Sequence, residues 1–230
     1  MQRRQELLEK DFTLRKSACQ ELLNKQRESR SFENRIIWTD QCSFELGGSV
    51  NTHNCYYQSK INPHYYFDVP HLRAKQMVWC GICSKGIFGP YFVDDIVDQD
   101  VYKKIICDKL LPDLHIQFGS LRNLYFQQDG APSHTANQSK DFLEELFENR
   151  TIGKGLAYQW PPRSPDLTPP DFWLWGSVKD IIYYPRPSNI FELRHAISGA
   201  IKSISEATCK NVCRAAFTRM QTCVDLEGGN

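Results

Sequence analysis

No apolar run in this 230-residue chain approaches the roughly 20 residues that a membrane-spanning helix needs. The opening MQRRQELLEK has no apolar signal region either, so neither membrane insertion nor secretion is expected. The cysteines lack a repeated spacing. There are nine, an odd number, in a chain long enough to be stable without disulfide staples, which points to free thiols in a reducing compartment. A strong charge of one sign is missing as well. With a formal net charge of +1, the chain as a whole does not advertise a polyanionic partner, so the local distribution carries the information. Residues 1–30 hold eight Lys/Arg against five Asp/Glu, and 172–223 hold seven against Asp180, Glu192 and Glu206, while 94–113 is acidic. Basic faces around an acidic site and ordinary solvated helix surfaces account for this pattern equally well.

What is present reads as an α/β domain. Residues 2–30 contain no proline and place Leu8, Phe12, Cys19, Leu22 and Leu23 near helical spacing, as one long helix or a helix pair. Arg35–Thr39 is a short β-branched and aromatic run that predicts a strand delivering Asp40 at its end. The stretch 47–75 is polar, aromatic and aperiodic, too long for a simple turn, and reads as an insertion. Met77–Cys83 and Ile87–Val93 around Ser84-Lys85-Gly86 predict a hairpin. An amphipathic helix over 99–116 leads to a short strand, Leu124–Phe126, with Asp129 just beyond it. Ser133 is expected to cap a helix running to about Asn149, and Leu156–Tyr158 to form a last strand. WPPRSPDLTPP then interrupts regular structure until a helix begins near Asp171, with further helices at about 189–204 and 206–223. Strands alternating with helices in this order predict a mixed sheet flanked by helices.

Three blocks carry chemistry: TDQCSF at 39–44, FQQDGAPSH at 126–134 and WPPRSPDLTPPDFWLWG at 160–176. Together they resemble the signature of mariner-type DNA transposases, and the third is the most specific, because generic packing gives little reason for Ser-Pro-Asp-Leu-x-Pro followed closely by an acid. The resemblance runs from about residue 30 to the C-terminus. It implies a ribonuclease H-like fold, with a mixed five-stranded sheet flanked by helices and an insertion after the first strand. Residues 1–34 would then be an N-terminal helical extension and 35–230 the catalytic domain. It also implies an Asp-Asp-Asp triad at Asp40, Asp129 and Asp171, and 41 residues, 130 to 170, separate the last two.

The chemistry asks for such residues independently. Three clustered carboxylates repel one another and raise each other's pKa unless cations neutralise them, and hard Mg²⁺ or Mn²⁺ ions prefer oxygen ligands. Two ions roughly 3.5–4 Å apart can activate an attacking water or 3′-hydroxyl and stabilise the leaving oxygen. By resemblance, then, the expected function is phosphodiester hydrolysis and strand transfer on DNA, in the nucleus, by a homodimer assembled on DNA. The alternative is a non-enzymatic nucleic-acid-binding domain, or an inactive relic of a transposase. Two departures bear on it. Gln41 stands where an acid commonly follows the first aspartate, and only about 34 residues precede the first strand, where family members carry DNA-reading helix-turn-helix modules; the chain is therefore expected to be a truncated form.

Competing readings are weaker. Trp79-Cys80-Gly81-Ile82-Cys83 looks like a thioredoxin redox motif, but a turn and a second strand follow instead of a helix that would lower a thiol pKa. Zinc would need a second matching ligand pair. Trp160, Phe172, Trp173 and Trp175 are expected to pack against the sheet rather than stack on bases. Asp166 reads as architectural, its carboxylate accepting local backbone hydrogen bonds in the turn. His134 has two readings, a phosphate contact or a place in the first turn of its helix, and the structural one is favoured.

Overall fold

A computed structural model describes residues 6–46 and 74–230. The 47–75 insertion therefore lies almost wholly outside the described residues. Helix α1 is Glu9–Glu28. Strand β1 (Ile36–Glu45) is followed by the hairpin of β2 (Lys75–Cys83) and β3 (Gly86–Val93). Gly86 at φ 141° supplies the turn conformation that a side chain would resist. The expected helix over 99–116 is α2 (Gln99–Lys104), a π-helical stretch Ile105–Leu110 and α3 (Leu111–Phe118). Then come β4 (Tyr125–Gln127), the one-turn α4 (Pro132–Thr135), α5 (Asn137–Phe147), β5 (Thr151–Gly153) and β6 (Tyr158–Gln159). A second π-helical stretch, Pro170–Leu174, opens α6 (Trp175–Ile182), ahead of α7 (Ile190–Lys202) and α8 (Glu206–Asp225). The last two helices start where side chains satisfy their first amides: Asn189 accepts from the Glu192 N–H and Ser205 from the Thr208 N–H.

The strands form one sheet in the order β3-β2-β1-β4-β5-β6. The β1–β2 and β2–β3 pairs are antiparallel, and the β1–β4, β4–β5 and β5–β6 pairs are parallel. The mixed α/β architecture is as expected, with six strands where five were anticipated. The additional one, Thr151–Gly153, is too short to show a period, and its parallel pairing with Phe126 and Gln127 is what makes it a strand.

Alternation along β1 sends side chains to two separate cores. Ile36 and Trp38 join α1, α8 and Ile152 on one face, while Ile37 joins Trp79, Phe126 and the α2–α5 side chains on the other. Phe44, Val78 and Cys80 meet α6 and α7 in a third cluster. Helix α1 belongs to this core through Cys19, Leu22 and Leu23, which are buried against α8.

Two expectations on local structure need correction. Asp40 does not end its strand: β1 continues to Glu45 because β2 pairs with it from Trp38↔Ile82 to Glu45↔Lys75, a non-local partnership. Nor does Ser133 cap a helix. The chain turns at Ala131, Pro132 takes the first helical position where its missing N–H costs nothing, and Ser133 falls inside α4. The Cys80 and Cys83 thiols are free and buried in β2, where burial raises Cys80 and pushes Cys83 up to about 11, so they are packing groups without thiolate character.

Candidate active site

Strand β1 keeps β2 on one edge along its whole outer half, but its parallel contact with β4 ends at Trp38↔Gln127. Asp40 sits two residues beyond that last rung, where the sheet opens. Asp40 is buried, 8% exposed, and the Trp175 indole Nε1–H donates to its Oδ2 at 2.7 Å. Asp129 lies two residues past β4, and its Oδ1 accepts from the Ala131 N–H at 3.1 Å and contacts His134 Nδ1 at 2.5 Å. Asp171 is in the first turn after Pro169-Pro170, where a negative charge is favoured by the amides of the helix it opens. All three acids line one cleft of about 890 Å³.

The three are electrostatically one group. Burial and the neighbouring Asp171 charge raise Asp40 well above the usual carboxylate range, against the opposing Trp175 bond. Desolvation, with the Asp129 charge, pushes Asp171 up to about 6, partly offset by hydrogen bonding to Thr168 and Asp40. Asp171 lies at the cleft mouth, exposed to solvent. Asp129 goes the other way: burial works against its ionisation, but the His134 contact and the Ala131 amide outweigh it and hold the carboxyl low. Within one cleft, then, Asp40 and Asp171 are shifted toward the neutral acid and Asp129 toward the carboxylate.

This donor set is chemically suited to a hard divalent cation, being three oxygen acids with too little positive charge of their own. The side chains do not stand as a finished cage: among the described residues no three His, Cys, Asp or Glu groups have metal-holding geometry. Around them the cleft is lined by Lys10, Lys154 and Arg163 as well as Gln41. The Gln41 Oε1 is buried there and unpartnered among the described residues.

Asp166, in the same block as Asp171, has a different role. Its two oxygens take a bidentate ion pair from the buried Arg15 of α1, at 2.9 and 2.6 Å, and Arg15 also donates to Ser164 Oγ and the Gly228 carbonyl. It is architectural as expected, but through a side chain 151 residues away instead of local amides. Arg163 of the same loop pairs with buried Asp11. Trp160 packs edge-on against Trp38 and Phe172 lies under the Arg219 guanidinium. Trp175 is buried as expected, yet it also touches the site, which the sequence reading missed. The available signal was its spacing: four residues after Asp171, it shares that acid's helix face.

No protein-family model matches the chain. It is homologous to the Tc3 transposase of Caenorhabditis elegans, with 24% identity over 199 residues, covering 84% of this chain and 56% of that one. The Tcb2 transposase of Caenorhabditis briggsae is 25% identical over 195 residues, covering 84% and 68%. The chain thus spans little more than half the length of the Tc3 relative. The solved structure of the Mos1 transposase catalytic domain with Raltegravir and Mn superposes with a TM-score of 0.78 at 19% identity, covering 98% of each chain. The chain shares the fold of the Mos1 domain and is similar in sequence to the Tc3 and Tcb2 transposases.

Proposed function

We propose that this chain is the catalytic part of a mariner-type transposase, a metal-dependent nuclease and strand transferase acting on DNA, with Asp40, Asp129 and Asp171 as its catalytic metal ligands. The observation that carries the reading is the convergence of three carboxylates from β1, the β4 loop and the α6 entry on one cleft, where burial and mutual repulsion displace two of them upward in pKa. Mg²⁺ or Mn²⁺, two ions in the full arrangement, would supply the activated water or 3′-hydroxyl and neutralise the leaving oxygen. The Mos1 domain holding Mn supports divalent metal use. The chain's own residues do the rest: Trp175 and His134 orient two acids, and Lys10 and Lys154 at the cleft give a phosphate backbone its electrostatic seat. Residues 35–230 form the catalytic unit in this reading and 1–34 its helical extension. In this reading the chain acts on chromosomal DNA in the nucleus, as a homodimer assembled on DNA. In this reading the 47–75 insertion clasps a partner subunit, which deletion of the segment and measurement of assembly on DNA would test.

The unfinished ligand cage and Gln41 favour a second reading, a DNA-binding domain that no longer cuts. Plasmid nicking by the purified chain in Mg²⁺ or Mn²⁺, set against Asp171→Asn, separates the two. Nicking that needs both metal and Asp171 supports the nuclease; DNA binding without nicking supports the second reading.

A further inference from the structure

Asp129 poses a positioning problem that β4 does not solve. A metal-ligating carboxylate must be held to within about 0.5 Å, yet Asp129 stands on a loop two residues past a three-residue strand, its side chain half exposed. The loop's rigidity comes from behind. The Tyr102 hydroxyl donates to Gln128 Oε1 at 2.5 Å, Gln128 Nε2 donates to the His134 carbonyl at 2.9 Å, and the His134 ring packs on Tyr102 with centroids 4.3 Å apart. Tyr102, Gln128 and His134 are all buried, so this circuit is closed to water and fixes the imidazole.

We propose that His134 is a positioning residue for metal binding, holding Asp129 Oδ1 through Nδ1 so that Oδ2 is presented to the cation. This rests on the metal-site reading above. The two bonds to Asp129 both fall on Oδ1, from His134 Nδ1 and the Ala131 amide, leaving the other oxygen for the ion. In this arrangement the imidazole carries its proton on Nδ1 and donates it to Oδ1. His134 Nε2 is buried and has no partner among the described residues. A side chain selected for packing alone would not carry that orphaned nitrogen, since Phe fills the same space against Tyr102 without it. The imidazole is present for its other nitrogen. Outer hydrogen-bond partners of metal ligands commonly govern affinity in this way.

The test is a titration of the full chain with Mn²⁺ alone, read as free Mn²⁺ by electron paramagnetic resonance, alongside thermal melting. His134→Asn places an amide N–H near the Nδ1 position but removes ring volume; His134→Phe keeps the volume and removes the donor; His134→Gln puts its amide nearer the Nε2 position. The expected result is that Phe and Gln weaken Mn²⁺ binding about 10- to 100-fold, that Asn stays within about 3-fold of wild type, and that melting follows the opposite order, with Asn the less stable of Asn and Phe. A purely structural role would make affinity follow stability. Wild-type Mn²⁺ affinity in Phe or Gln, or a loss in Asn equal to that in Phe, overturns the proposal. Asp129→Asn separates the two layers: if it too binds like wild type, the metal-site reading fails; if it alone loses Mn²⁺, only the positioning role of His134 fails.

Discussion

Two acid-rich regions lie within one proline-rich block of each other and have opposite electrostatic characters. Where α1 meets the WPPRSPDLTPP loop, Asp166 and Asp11 are each matched by a guanidinium, from Arg15 and Arg163, with two hydrogen bonds per pair. In the cleft, Asp40, Asp129 and Asp171 face one another, and their bonded neighbours are an indole, an imidazole, a hydroxyl and an amide. Both regions bury carboxylates, but only the first carries its own neutralising charge. The consequence shows in the protonation behaviour: Asp11 is held below its ordinary value by Arg163, while Asp40 and Asp171 are driven above theirs. Completed pairs hold the fold together; the uncompleted set is where a cation from outside has a use.

The sharpest way to break this comparison is to neutralise one acid in each region. Asp171→Asn is expected to cut metal-dependent nicking about 1000-fold, or ~4 kcal/mol of barrier, with the melting temperature unchanged or slightly higher because a repulsive charge is gone. Asp166→Asn should do the reverse. It leaves the fully buried Arg15 without its counter-ion, and with Asp166 partly exposed the loss falls at the low end for broken buried pairs, about 3 kcal/mol. That corresponds to a fall of roughly 6–12 °C in a chain of this size, with nicking per folded molecule retained. Equal loss of nicking in both variants would erase the distinction.

A third expectation concerns pH. Asp171 has a folded pKa of about 6 against an ordinary 3.8, so the folded state binds more protons than the unfolded one between those values. Its contribution is therefore intact below about pH 4 and is lost as pH rises through about 6. Asp40, also raised, acts in the same direction. A cation that replaces those protons should stabilise most once they have left. Saturating Mg²⁺ or Mn²⁺ at about 100 Kd adds ~2.7 kcal/mol, and the melting shift is expected to be larger at pH 7.5 than at pH 5. A shift independent of pH would count against proton displacement. The smallest effect is expected from Trp175→Phe, which keeps the ring in the core but removes the donor to Asp40. Asp40 should then hold its proton more tightly, weakening Mn²⁺ binding at pH 7 by about 10-fold, the equivalent of one hydrogen bond of ~1.4 kcal/mol; calorimetric titration checks it.

Much of this was legible in the residue order because the features are local. The three cleft acids lie in contiguous motifs, the β2–β3 hairpin surrounds its own turn, and α7 and α8 are capped by Asn189 and Ser205 near the expected points. What was illegible is non-local. Asp40 ends up inside a ten-residue strand because β2 arrives from across the insertion to pair with it. Thr151–Gly153 becomes a strand only by lying beside β4. Arg15 gives no hint in its own helix that its partner is Asp166, and Trp175 reads as core because it is core, its indole N–H being the one atom turned to the site. Ser133 was a plausible cap by composition, but Pro132 moved the helix start two residues earlier than a Ser133 cap allows.

The most direct test of the central claim is a Mn²⁺ binding titration on three proteins, wild type, Asp171→Asn and Asp166→Asn, each first shown to be folded. The account predicts that wild type binds Mn²⁺, that Asp171→Asn binds at least about 10-fold more weakly, and that Asp166→Asn binds like wild type despite its lower melting temperature. Wild-type affinity in Asp171→Asn, or a loss of Mn²⁺ binding confined to Asp166→Asn, would contradict it.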